Sequence, residues 1–181
     1  MYFFLEKGII MTENKEMKES DISVEQVDKA LAVGHIPSGL FIVCAREGEM
    51  TDGYLASWIQ QVSFDPLMIS LAIKPGRPCY DWIMKGNNFS INIVGDHNKN
   101  FLKHFWKGYD PNSNPFSEIE HEIRGTGVVC LKEAKSVLEC RFSSKCMPGD
   151  HEVVFAEVLA SHIFDENAKS LTHTRKSGLN Y

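Results

Sequence analysis

A mainly β, antiparallel barrel or sandwich is the architecture this sequence predicts, on three observations. Short runs rich in β-branched and aromatic residues recur along the chain; Gly, Pro and Asn clusters separate them at frequent intervals; and stretches with helical spacing are few and brief. No GxGxxG follows a strand-like run, which counts against a doubly wound sheet.

The elements follow in order. Residues 12–21 are polar and charge-rich, and Ser23-Val24-Glu25-Gln26 then has the S-x-x-Q form of a capping box. Val27, Ala30 and Leu31 keep helical spacing up to Gly34, so a short helix is expected there, ended by Pro37-Ser38-Gly39. A strand at 40–45 leads through a hairpin loop at 47–53 to an unusual stretch, LASWIQQVSFDP, residues 55–66. Buried strands flank it, yet it carries Ala56, Ser57, Gln60, Gln61 and Ser63. Asp65-Pro66 marks a turn, 67–73 a strand, and Pro75-Gly76-Arg77-Pro78 a second break.

Residues 79–85 read as a brief helix and 89–94 as a strand. The helix expected at 98–107 sets Phe101, Leu102 and Phe105 on one face and Lys99, Lys103 and Lys107 on another, a core stripe rather than a cofactor box. A Pro- and Asn-containing loop at 109–116 precedes strands at 128–131, 134–142 and 152–162. No repeat or linker divides the chain, and the expected organisation is a flexible extension at 1–21 and one domain at 22–181. Met11 is an alternative start.

Composition narrows the function. With 181 residues, 43% hydrophobic and 24% charged, the chain suits a globular domain with a core of its own. The net charge of -5, with scattered lysines, argues against nucleic acid, whose binding rests on neutralised phosphates. The opening MYFFLEKGIIM is interrupted by Glu6 and Lys7 and is too short to span a bilayer, so neither a signal peptide nor a membrane span is expected. Five cysteines without a CxxC pair point to reduced thiols in a cytoplasmic protein. Cys140, Cys146 and His151 lack a fourth ligand and a zinc-like spacing, so no metal is expected.

The residues from Gly53 to Pro66 resemble the G-x-T-A-S-x-x-x-x-V-S-x-D-P segment of the flavin reductase-like family, the FMN-binding split barrels. Lys74-Pro75-Gly76-Arg77-Pro78 stands at that family's K-x-S-R-T turn, Phe89-Ser90-Ile91-Asn92-Ile93-Val94 is similar to its F-x-V-N-V-L, and Gly149-Asp150-His151 to its G-D-H. The final residues, Arg175-Lys176-Ser177-Gly178-Leu179-Asn180-Tyr181, resemble its R-K-x-G-x-x-Y. The resemblance covers roughly 30–181 and implies an antiparallel split β-barrel with a few short helices.

It also implies a noncovalent FMN, with FAD as the alternative, near the interface of a homodimer. NADH or NADPH would be the electron donor; free flavin, another small molecule or a redox protein would accept. Ala56 would let the chain approach the flavin, while Ser57, Lys74 and Arg77 meet its phosphate, the Arg fork making two charge-assisted bonds. Gln60 and Gln61 would meet the ring, since a carboxamide both donates and accepts, and the neighbouring Val62 and Ser63 join the cofactor-binding set. His151 would stand near the reactive face, and Lys176 and Tyr181 would close over the site. Trp58 is the aromatic candidate at the ring, although core burial is the commoner fate of Trp58 and Trp82.

Plainer readings stand beside these: solvent-facing Ser57, Gln60 and Gln61, a solvated turn arginine at Arg77, a turn histidine at His151. Leu55, Gly76 and Pro78 replace hydroxyl residues of the family pattern. Two rival functions follow, a flavoredoxin-type electron carrier without nicotinamide turnover and a split-barrel binding module without catalysis.

Overall fold

The computed structural model describes residues 9–12, 15–18, 24–106, 110 and 114–179, and contacts divide the chain into two units. The first takes in the chain ends. Strands β1 (Ile9–Thr12) and β2 (Lys15–Lys18) pair antiparallel, with Ile9 opposite Lys18. Helix α1 (Val24–Gly34) lies where the Val27, Ala30, Leu31 spacing predicts; Ser23, its expected cap, falls outside the described residues. The C-terminal segment returns to this helix: the Arg175 amide donates to the Gly34 carbonyl at 2.9 Å, satisfying an acceptor that a helix end leaves open. A side chain at Gly178 would bring its Cβ to 2.8 Å from Val33 Cβ, so the close approach requires glycine.

The second unit, Ser38–His173, contains the main sheet. After β3 (Ser38–Gly39) come β4 (Phe41–Glu47), β5 (Met50–Ala56), β6 (Ile59–Phe64), β7 (Leu67–Ile73), helix α2 (Pro78–Met84), β8 (Phe89–Ile93) and helix α3 (Lys99–Phe105). Strands β9 (His121–Ile123), β10 (Val129–Leu131), β11 (Ser136–Cys146), β12 (Glu152–Ile163) and β13 (Thr172–His173) complete it. One antiparallel sheet runs in the order β5-β4-β8-β11-β12-β7-β6. Its two edges, β5 and β6, are joined by only Ser57 and Trp58. Laid flat, six strand-to-strand steps would part these edges by roughly 29 Å. The step from Ala56 to Ile59 reaches only about 10 Å. The sheet therefore curls until its edges approach without pairing, and this is the split antiparallel barrel.

Alternation along the strands builds a core on each face. Val43, Ala45, Tyr54, Leu71, Ile91 and Val154 point inward, where Cys79, Trp82 and Ile83 of α2 pack against them. Ile42, Cys44 and Val137 point outward beneath Phe101 and Phe105 of α3 and the β10 residues Val129, Cys130 and Leu131. The outer core holds one buried carboxylate, Glu139 of β11, which accepts hydrogen bonds from the Thr126 hydroxyl and the His162 imidazole.

Two expectations change. Residues 50–53, read as loop, are the first half of β5: Asp52 and Gly53 hide a strand pattern whose Cα partners run from Glu47–Met50 to Phe41–Ala56. The short, charged β9 carries too few apolar residues to announce itself. Lys107 and half of the expected 109–116 loop lie outside the described residues.

Candidate functional site

The link Ser57-Trp58 sits at the split of the barrel. The Ala72 amide donates to the Trp58 carbonyl at 3.0 Å, continuing the β6–β7 ladder beyond the Ile59–Leu71 pair. Ser57 is buried and Trp58 half-buried, its ring meeting the His151 imidazole edge-on at 5.1 Å between centroids. His151 arrives there because β12 pairs with β7: Glu152 lies opposite Ile73, so His151 and Lys74 are next in line at the same end of the ladder. The Asp150 carboxylate is 3.0 Å from His151 Nδ1. That contact, ahead of an opposing desolvation and a further pull from Lys74, holds the Asp150 carboxyl below its ordinary value.

Beyond β7 the chain turns through Gly76, whose φ of +89° is a left-handed backbone that glycine adopts without strain. Arg77 follows, at the entrance to α2, with Pro78 fitting the first turn. Its guanidinium lies over the Tyr54 ring of β5, 5.0 Å from the centroid, while the residue as a whole stays exposed. Beneath this corner Asp52 is only 3% exposed. Burial pushes its carboxyl up, opposed by the Cys79 thiol (3.4 Å), the Gly53 amide (2.8 Å) and the Arg77 charge.

Lys74 and His151 thus stand in register beside Trp58, which follows Ser57 in the link, while Arg77 lies over Tyr54 of β5. The other sequence candidates are placed differently. Ala56 packs in the inner core, and so does Trp82. Gln60 and Gln61 are both exposed but, as successive strand residues, face opposite sides of β6, so one ring edge on one face cannot meet both. The Gln61 amide donates locally to the Ser63 carbonyl at 3.2 Å. Val62 is the bulge residue, since Gln61 pairs with Ile69 and Ser63 already with Met68. Lys176 belongs to the terminal unit, and Tyr181 lies outside the described residues.

Sequence reading missed Tyr54, the platform for Arg77, and a triad beside His151. Tyr80 Oη donates to Glu152 Oε2 at 2.9 Å, and Lys145 Nζ donates to Glu152 Oε1 at 3.0 Å. The Lys145 bond, with burial opposing and Tyr80 helping, keeps the Glu152 carboxyl low. A glutamate opening the apolar run of 152–156 was the one available sign. Among the described residues no three of His, Cys, Asp and Glu gather as a metal site; Cys140 faces the inner core and Cys146 is exposed.

The open-seamed antiparallel barrel is the fold that the sequence resemblance implies, and direct comparison supplies the family. The chain is a member of the flavin reductase-like family, whose domain model, "Flavin reductase like domain", matches residues 33–178. Among relatives, Diflavin flavoprotein A 1 of Synechocystis sp. is 30% identical over 168 residues, which are 92% of this chain and 28% of that protein. The chain spans under a third of the length of the curated relatives it matches.

Solved structures share the fold. The NADH:FAD oxidoreductase SgcE6 of Streptomyces globisporus C-1027 superposes with a TM-score of 0.73 at 17% identity, covering 80% of this chain and 86% of that one. The styrene monooxygenase flavin reductase SMOB of Pseudomonas putida S12 gives 0.69 at 23% identity, covering 78% and 89%.

Proposed function

We propose that this chain is an oxidoreductase that binds FMN noncovalently and passes electrons from NADH or NADPH to free flavin or another acceptor. The observation that carries the reading is the placement of His151 beside Lys74 at the end of the β7–β12 ladder, with the Trp58 ring against His151 and Arg77 laid over Tyr54 of β5. The donor set fits such a ligand: two cations and a buried hydroxyl suit a phosphate, and a half-buried indole suits a planar ring. Gly76 adds an uncrowded turn, since a Cβ placed there would meet no atom within 4 Å.

Bound flavin supplies the redox chemistry, and the protein supplies position and electrostatics. Arg77, already laid on Tyr54, offers a fork of N–H donors. Asp150, whose carboxylate stands 3.0 Å from His151 Nδ1, places an acceptor beside that ring. FAD stands beside FMN as a ligand, because a structural neighbour is named an NADH:FAD oxidoreductase and was also solved with NAD and FAD fragments. The diflavin name of the relatives, of which this chain matches under a third, supports a protein-bound redox group among the acceptors.

A homodimer and a cytoplasmic setting complete the proposal. No helix of the described residues is long and apolar enough to cross a membrane. The test is the visible absorbance of the purified protein with and without added FMN or FAD, followed by anaerobic NADH or NADPH. A bound-flavin spectrum that bleaches is the expected result. Absence of binding at micromolar flavin would overturn the reading.

A further inference from the structure

One carboxylate beside the split joins three elements. The Glu152 side chain, the first of β12, is 10% exposed, and its oxygens are shared between Tyr80 of α2 (2.9 Å) and Lys145 of β11 (3.0 Å). Lys145 also donates to the Tyr80 hydroxyl oxygen at 3.2 Å and lies 5.6 Å from that ring's centroid, so each group touches the other two. Stability alone does not account for such a triad, because apolar side chains of similar volume often stabilise as well as a buried ion pair. Directional, charge-assisted bonds instead fix the spacing of the elements that carry them.

The neighbours of these residues give that spacing its use. Glu152 directly follows His151 and pairs with Ile73, the residue before Lys74. Tyr80 lies in the first turn of α2, the helix that Arg77 introduces. We infer that Glu152, Tyr80 and Lys145 are positioning residues that hold His151 at a fixed spacing from Lys74 and Arg77, and so set flavin affinity without touching the flavin. This rests on the flavin site proposed above.

The test is FMN titration by flavin fluorescence, with thermal melting, on the full chain and on Glu152→Gln, Tyr80→Phe, Lys145→Met and Lys145→Arg. Glu152→Gln, Tyr80→Phe and Lys145→Met should each weaken FMN about tenfold or more, the scale of one lost hydrogen bond to a charged group. Lys145→Arg, which keeps a cation for the carboxylate, should stay within about twofold of the unaltered chain. Glu152→Gln combined with Arg77→Ala should weaken FMN less than the product of the single effects, because Glu152 acts through the Arg77 turn.

Folded variants that lose melting temperature but bind FMN as before would overturn the inference and leave the flavin site standing. Should Glu152→Gln not fold, Tyr80→Phe, which removes one hydroxyl and keeps the ring, decides the matter. An unaltered chain that binds neither FMN nor FAD would overturn both this inference and the flavin reading.

Discussion

Arg77 lies against the Tyr54 ring at 5.0 Å with the buried Asp52 behind it, so its fork is partly ordered before any anion arrives. Pre-ordering lowers the entropy lost on binding. Arg77→Ala should therefore weaken FMN at least about tenfold, equivalent to roughly 1.4 kcal/mol. Arg77→Lys should fall between, because a point charge replaces a fork. Fluorescence titration reads both, and an unchanged affinity for the alanine variant would remove Arg77 from the phosphate assignment. Ser57, Trp58, Lys74, Arg77 and His151 stand out as candidates in the sequence because each sits inside a short local motif. Tyr80, Lys145 and Glu152 do not stand out as a set: Tyr80 meets partners 65 and 72 positions away in sequence, and no spacing rule spans such separations. Gln60 and Gln61 fail as a pair for a local reason, the alternation that sends neighbours to opposite faces.

Glu139 shows how one side chain can bind elements to one another. It sits in β11, accepts from Thr126 in the turn between β9 and β10, and accepts from His162 in β12, while Arg124 reaches the other imidazole nitrogen at 3.0 Å. Burial pushes its carboxyl up, but the bonds from Thr126 and His162 outweigh that and leave it below the ordinary 4.5. A carboxylate lowered in this way stabilises the fold above its unfolded value and loses that contribution as pH falls through its folded value. Glu139→Gln should thus lower stability at pH 7 by about 1–3 kcal/mol, the range for a buried donor left without its acceptor. The gap to the unaltered chain should narrow as pH drops below about 4.5, in urea unfolding followed at several pH values. A gap that stays constant down to pH 3 would show that the Glu139 charge contributes nothing. Asp52, raised by burial, works in the opposite sense in both proteins and cancels from the comparison. The elements themselves were largely legible, because β4, β7 and β12 contain apolar runs, and β8 and the middle of β11 alternate apolar and polar residues. The first half of β5 and all of β9 were not, since Asp52 and the polar pair His121-Glu122 break the apolar pattern.

For the whole molecule, closure of the sheet was legible only through family resemblance. Strand patterns reveal which residues face a core but not that β5 and β6 are opposite edges of one sheet; that follows from pairings remote in sequence. The same topology makes β6 an edge strand, and the β6–β7 hairpin there displays Phe64 at 90%, Val62 at 48% and Leu67 at 46% exposure. Edge strands with bare apolar side chains invite pairing with another chain unless something covers them. The proposed homodimer supplies a cover, and twofold symmetry would place the same hairpin of each copy in the interface. Burying a phenylalanine is worth about 1.5–3 kcal/mol, counted twice in such an interface. Phe64→Asp should therefore weaken dimerisation by about a hundredfold or more. Light scattering coupled to size exclusion, across a dilution series, reads the shift. A dimer unaffected by Phe64→Asp would move the interface to another face, and an unaltered chain that is monomeric at high micromolar concentration would remove the homodimer from the proposal.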